Sequence, residues 1–148
     1  MRLTYIINKK NKMRNPYYLV WADSIYRIKK YKPNEKNWGI IIFIINTTIN
    51  ALNFWTIAIW LKIFNIYNLP LIYIDLFPGH LLNESLSFFV EFAFPFIIVN
   101  YSLVFYKNKY KKIVEMYPNP QKKYAFYYSV ISLSIAFISG ILHGIIDS

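Results

Sequence analysis

Glu91 is the residue best placed to do chemistry, because it stands inside the apolar run Leu86–Tyr106. A carboxyl group at mid-membrane costs roughly 2.5–3.5 kcal/mol on insertion scales, so pairing, ion binding or proton handling is its default role. The structural alternative is a carboxyl group hydrogen-bonded to neighbouring helices. Glu84, seven residues earlier on the same helical face, belongs at the outer edge. Asn46, Asn50 and Asn53 follow i, i+4, i+7 and form a narrow polar stripe, with Thr47, Thr48 and Thr56 adding hydroxyls nearby. Such a stripe can line a path or grip a partner. As plain interhelical hydrogen bonding it contributes about 0.6–2 kcal/mol per contact, and packing is the preferred reading.

A second pattern is steric. Ser132, Ala136, Gly140 and Gly144 repeat every four residues and end in Gly-x-x-x-Gly, a stripe that lets helix backbones approach closely. Both glycines are therefore expected at a helix–helix contact. His143 lies between them near the helix end, where a lone histidine is more often a packing residue than a ligand. Depth counting joins the two patterns. At ~1.5 Å per residue, Glu91 lies about 7.5 Å below Leu86, His143 about 4.5 Å below Ile146 and Asn53 some 10 Å below Trp60. Burying any of these groups alone is unfavourable, so an intramembrane cluster of Asn53, Glu91 and His143 is expected.

The motifs of enzymes are missing. There is no Gly-rich phosphate loop, no His-Glu-x-x-His and no Gly-x-Ser-x-Gly. With no cysteine, and with His80 and His143 on separate segments, neither a metal site nor a thiol nucleophile is expected. The reading is a non-enzymatic protein with no catalytic residue, cofactor or metal. Asn46-Thr47-Thr48 and Asn83-Glu84-Ser85 match glycosylation acceptors. The first lies within a span and the second at the edge of one, so neither is read as modified.

These residues need elements to position them, and the composition says which. The chain is 56% hydrophobic and only 16% charged, against about 25% charged in soluble domains, which argues for a membrane protein. So much apolar surface also excludes a disordered chain. At 148 residues it is a single domain. Three apolar stretches, 38–63, 81–106 and 123–146, each reach the ~20 residues that a transmembrane helix needs. Pro95 predicts a kink in the second.

Ten of the 17 basic residues lie in 1–37 and six in 107–123, between the second stretch and the start of the third, leaving only Lys62 elsewhere. Lys62 can snorkel from the end of the first stretch. The positive-inside rule therefore puts the N-terminus and second loop in the cytoplasm, with the C-terminus periplasmic. Sixteen positives on one side of three spans are explained by topology and anionic lipid, so no nucleic-acid partner is expected.

Asn15 can cap and Pro16 can open a helix over 15–31 in which Tyr18, Trp21, Ile25 and Ile28 share a face and Asp23 pairs with Arg27. Too short to span, it is predicted as an amphipathic interfacial helix, with a helix packed on partner protein as the alternative. The basic segment 1–14 is expected to be disordered. Its residues 1–12 are a disordered extension or an upstream start, and no signal peptide is recognisable. The apolar loop from Phe64 to Gly79 is expected in the outer interface or folded back on the bundle. The fold class is thus an all-α membrane protein with three transmembrane helices and an N-terminal interfacial helix.

Several strings carry a resemblance. Asn15-Pro16-Tyr17-Tyr18 with Trp21-Ala22-Asp23, Asn50-Ala51-Leu52-Asn53, Phe77-Pro78-Gly79, and Asn108-Lys109-Tyr110 with Tyr117-Pro118 resemble uncharacterised small multi-spanning inner-membrane proteins of Gram-negative bacteria. The resemblance covers most of the chain from Met13 and implies no activity. Immunity proteins against pore-forming bacteriocins are similar in architecture alone. The expected function is an accessory, partner-binding subunit of a bacterial inner-membrane assembly. The alternatives are an immunity or defence membrane protein against a membrane-active toxin, and an oligomeric small channel or carrier using Glu91 and the asparagine stripe. The expected partners are the lipid bilayer and a membrane protein or second copy of the chain.

Overall fold

Asn15 starts the first helix through its side chain, whose Oδ1 accepts the Tyr17 amide at 3.0 Å, and Pro16 takes the first helical position. This helix, α1, is Pro16–Tyr31. The computed structural model describes residues 15–70, 72–118 and 123–146, so the expectation for 1–14 lies outside the described residues. The second helix, α2, is Trp38–Ile63. Then α3, His80–Phe88, runs through a wide turn, Phe89–Ala93, into α4, Phe94–Asn100, and a second wide turn, Tyr101–Phe105. Helices α5, Lys109–Met116, and α6, Tyr124–Ile146, complete the described chain.

The architecture is all-helical, and three stretches are long and apolar enough to cross a membrane: Trp38–Ile63, His80–Met116 and Tyr124–Ile146. The middle one spans 37 residues but is not one regular helix. Pro95 has no N–H for the Glu91 carbonyl, and its ring would strike that carbonyl in a regular helix. The wide turn before it, in which the Phe94 N–H reaches the Phe89 carbonyl five residues back, provides the room. A sharper break comes at Lys107 and Asn108, whose φ values of 52° and 58° are left-handed. Lys109 Nζ donates to the Ser102 carbonyl at 2.8 Å, satisfying one of the acceptors left open near the break.

The best-packed region is the end of the bundle where α1 lies. Trp21, Ala22 and Ile25 from α1 meet Ile42, Val104 and Ile113. Phe105 sits edge-on to both Trp21 and Phe43, with ring centroids 5.7 and 5.5 Å away. From sequence alone, the Tyr18–Trp21–Ile25–Ile28 face belongs in the membrane interface. In the structure that face packs against the chain's own helices, because the break at Lys107 folds α5 back beneath it.

At the opposite end, the 72–79 segment folds back on α3. Asn83 is buried; its Oδ1 accepts the Leu76 and Phe77 amides, and its Nδ2 donates to Asp75 and to the Phe77 carbonyl. An amide so fully engaged is a structural clamp. Gly79, at φ 154°, makes the turn into α3 with a backbone that side-chain-bearing residues rarely adopt.

Candidate functional site

Of the three polar groups expected to cluster, Asn53 is engaged with other partners. Asn53 Nδ2 donates to Tyr128 Oη at 2.7 Å, and Tyr128 in turn donates to Asn50 Oδ1 at 2.6 Å. Asn50 Nδ2 donates to Asn100 Oδ1 at 3.2 Å, and Asn100 Nδ2 donates to Thr47 Oγ1 at 2.9 Å. Tyr17 adds a second donor to Asn100 Oδ1 at 2.8 Å. One directional chain of hydrogen bonds thus ties α1, α2, α4 and α6 together, each donor polarising the next. Asn46, the first residue of the stripe, turns instead to α1 and donates to Ser24 Oγ at 3.2 Å and to the Ile42 carbonyl. Thr56 bonds back to the Leu52 carbonyl, while Thr48 is exposed.

Tyr17 can serve only as a neutral donor here. Burial pushes its hydroxyl up to about 12, so it keeps its proton throughout the neutral range.

The trio of Asn53, Glu91 and His143 is not brought together. Asn53 is held by Tyr128, and His143 Nε2 lies 3.1 Å from Lys62 Nζ. Lys62 is nine residues beyond Asn53, about 13.5 Å along the helix at ~1.5 Å per residue. The Lys62–His143 contact brings the two helix ends to similar heights and leaves Asn53 about 13.5 Å, more than two turns, from the level of His143. Glu91 sits on the first wide turn, and its Oε1 is buried with no hydrogen-bond partner among the described residues.

The small-residue stripe is used in part. Ser132 and Ala136 are buried, and α6 makes its most extensive packing with α2. A Cβ at Gly140 would lie 3.5 Å from the Trp55 ring, whereas at Gly144 it would meet nothing within 4 Å among the described residues. Gly140 is therefore at a helix contact and Gly144, within the described bundle, is not. A four-residue repeat drifts by about 40° per step on a helix of 3.6 residues per turn, so Gly144 has rotated off the face. Ser139 takes over: it is buried and accepts the Trp60 Nε1–H at 2.9 Å.

Three further residues matter, and two of them have little sequence signal. Asn100 and Tyr128 read there as an isolated amide and one more aromatic; their polar atoms inside an apolar run are the available clue. Asp23 is the third. Its side chain is fully buried, Oδ1 lies 2.8 Å from Arg27 Nε, and Oδ2 accepts the Ala125 amide of α6 at 2.8 Å. The Arg27 contact is a charge pair and not a well-directed hydrogen bond.

No cluster of three or more histidine, cysteine, aspartate or glutamate side chains that could hold a metal occurs among the described residues. No protein-family model, curated protein or solved structure matches the chain.

Proposed function

We propose that this chain is a non-enzymatic accessory subunit of a bacterial inner-membrane assembly, inserted with its N-terminus cytoplasmic and its C-terminus periplasmic. The observation that carries the reading is Glu91. Its buried Oε1 lacks a hydrogen-bond partner among the described residues, and a polar atom so placed calls for a donor from another molecule. Large apolar faces around it support the same conclusion. Only 39%, 22% and 17% of the most apolar windows of the three long helical stretches are buried, leaving most of their surface for lipid or partner helices. The asparagine stripe supports a scaffold over a conduction path, because Asn46, Asn50 and Asn53 are engaged with neighbours inside the chain.

The test is association in native membranes. The tagged chain, extracted in mild detergent, is expected to run with a stoichiometric membrane partner or a second copy. Glu91→Leu should weaken that association about tenfold, the equivalent of the ~1–2 kcal/mol of one intramembrane hydrogen bond. Glu91→Gln, whose carbonyl still accepts, should keep it. A monomer in native membranes, or an unaffected leucine variant, overturns the reading.

Orientation has its own measurement. Alkaline phosphatase fused after Ser148 should be active, and the same enzyme fused near Tyr117 should be inactive. A stable but inactive fusion after Ser148 would exclude an odd number of spans.

A further inference from the structure

The break at Lys107 and Asn108 turns α5 back along α1, so two basic segments far apart in sequence share one end of the bundle. The two helices run antiparallel. At one end the Asn15 amide donates to Tyr117 Oη at 3.1 Å, and at the other Lys29 Nζ lies 5.9 Å from the Tyr110 ring centre and 4.5 Å from that of Trp38. Tyr110, Ile113 and Val114 occupy the apolar side of α5 against the core, which leaves its lysines outside. Eight exposed lysines stand here, four over 29–36 and four over 107–112. Glu35 and Glu115 are the acids beside them. Several of the ammonium groups rest near ring faces: Lys30 Nζ is 5.8 Å from Tyr26 and 5.7 Å from Tyr31, and Lys107 Nζ is 5.2 Å from Tyr106. Apolar side chains border the charge directly. Ile40 is 61% exposed four residues after Lys36, and Leu103 is 39% exposed four residues before Lys107.

We propose that the paired end of α1 and α5 is a docking surface for anionic phospholipid, with phosphates against the lysines and acyl chains along Ile40 and Leu103. Charge complementarity selects the head group. A zwitterionic lipid offers no net charge to eight ammonium groups, whereas each lysine near an anionic surface strengthens attraction by roughly fivefold. The apolar neighbours select a lipid over a nucleic acid or an acidic protein. Either polyanion would satisfy the lysines but leave Ile40 and Leu103 in water, about one turn away. A bilayer matches both, and tryptophan and tyrosine rings collect at the head-group depth between them. A charge bias that only sets topology needs no fixed arrangement. Here the lysines ride on a packed helix pair and Lys29 is held over Trp38, so part of the cost of ordering them is already met. The surface requires neither a protein partner nor a particular direction of insertion, so it stands or falls separately from the subunit reading.

The experiment titrates the full chain in mild detergent with dioleoylphosphatidylglycerol and, separately, with dioleoylphosphatidylcholine, counting bound lipid by native mass spectrometry. Phosphatidylglycerol is expected to bind at least about tenfold more tightly. The difference should shrink as ammonium acetate is raised from about 0.1 to about 1 M, where the screening length falls from about 10 to about 3 Å. Lys30→Gln, Lys32→Gln, Lys111→Gln and Lys112→Gln combined should weaken phosphatidylglycerol binding at least about tenfold, and arginine at the same four positions should retain it. Glu115→Gln should tighten it. Equal affinity for the two lipids, or unchanged phosphatidylglycerol affinity in the folded glutamine variant, overturns the proposal. So does a DNA duplex or a polyglutamate that binds more tightly than phosphatidylglycerol in the same detergent. The comparison of the two lipids needs no variant, so it decides the matter even if the glutamine variant fails to fold.

Discussion

Replacing Asp23 by alanine is expected to lower the unfolding free energy by about 3–4 kcal/mol. Two interactions disappear together. The fully buried carboxylate pairs with Arg27 at 2.8 Å, and removing one member of a buried pair typically costs about 3–5 kcal/mol because the other charge is stranded. Arg27 is 26% exposed and keeps some water, which places this part near the lower limit. The same carboxylate accepts the Ala125 amide at 2.8 Å and so caps α6 from a different helix. A lost N-terminal cap adds about 1 kcal/mol, and a negative charge there also complements the helix dipole. Asp23→Asn separates the two effects, since asparagine caps nearly as well but cannot pair with arginine. It should lose the charge contribution and retain the cap. Reversible unfolding in mixed detergent micelles, followed by circular dichroism, reads both. A loss below 1 kcal/mol for the alanine variant would show that Asp23 does not hold the start of α6.

Asp23 also shows where sequence reading reaches its limit. Its i, i+4 spacing to Arg27 is legible because that contact is local. Its contact with Ala125 joins residues 102 apart and depends on how α1 and α6 cross, which no periodicity reports. The same division runs through the fold. The long apolar helices and the Asn15 cap with Pro16 follow from local chemistry and are readable. The covering of the α1 apolar face is not, because it follows from two left-handed residues at Lys107 and Asn108. Asparagine tolerates that conformation and lysine seldom adopts it, so only half of the break has a sequence signal. The polar site divides similarly. The i, i+4, i+7 spacing reveals a stripe on α2, but spacing within one helix says nothing about the relative height of its neighbours. Hence Tyr128 and Asn100 stand where Glu91 and His143 are expected from sequence.

Asn100→Leu is the second large effect expected, a loss of about 2–3 kcal/mol. Asn100 is fully buried and joins three helices: it accepts from Tyr17 at 2.8 Å and from Asn50 at 3.2 Å, and donates to Thr47 at 2.9 Å. Leucine fills a similar volume, so cavity formation contributes little and the unsatisfied partners dominate. In soluble proteins each stranded group costs about 1–3 kcal/mol, but intramembrane contacts average nearer 0.6 because the dissociated state finds other partners. Three contacts of roughly 0.6–1 kcal/mol give the expected total. Tyr128→Phe removes the hydroxyl that links Asn53 to Asn50 and should lose about 1 kcal/mol. Because Asn50 bonds to both Tyr128 and Asn100, the double variant should lose less than the sum, with a coupling of at least about 0.5 kcal/mol. Strict additivity would mean that the hydrogen bonds act as independent pairs. The Tyr17 link adds a pH signature. Burial raises its hydroxyl from 10.0 to about 12, so its contribution is complete below pH 10 and is lost as pH climbs toward 12. Tyr17→Phe should flatten that alkaline decline, whereas Asn100→Leu should retain it, because burial raises the Tyr17 hydroxyl.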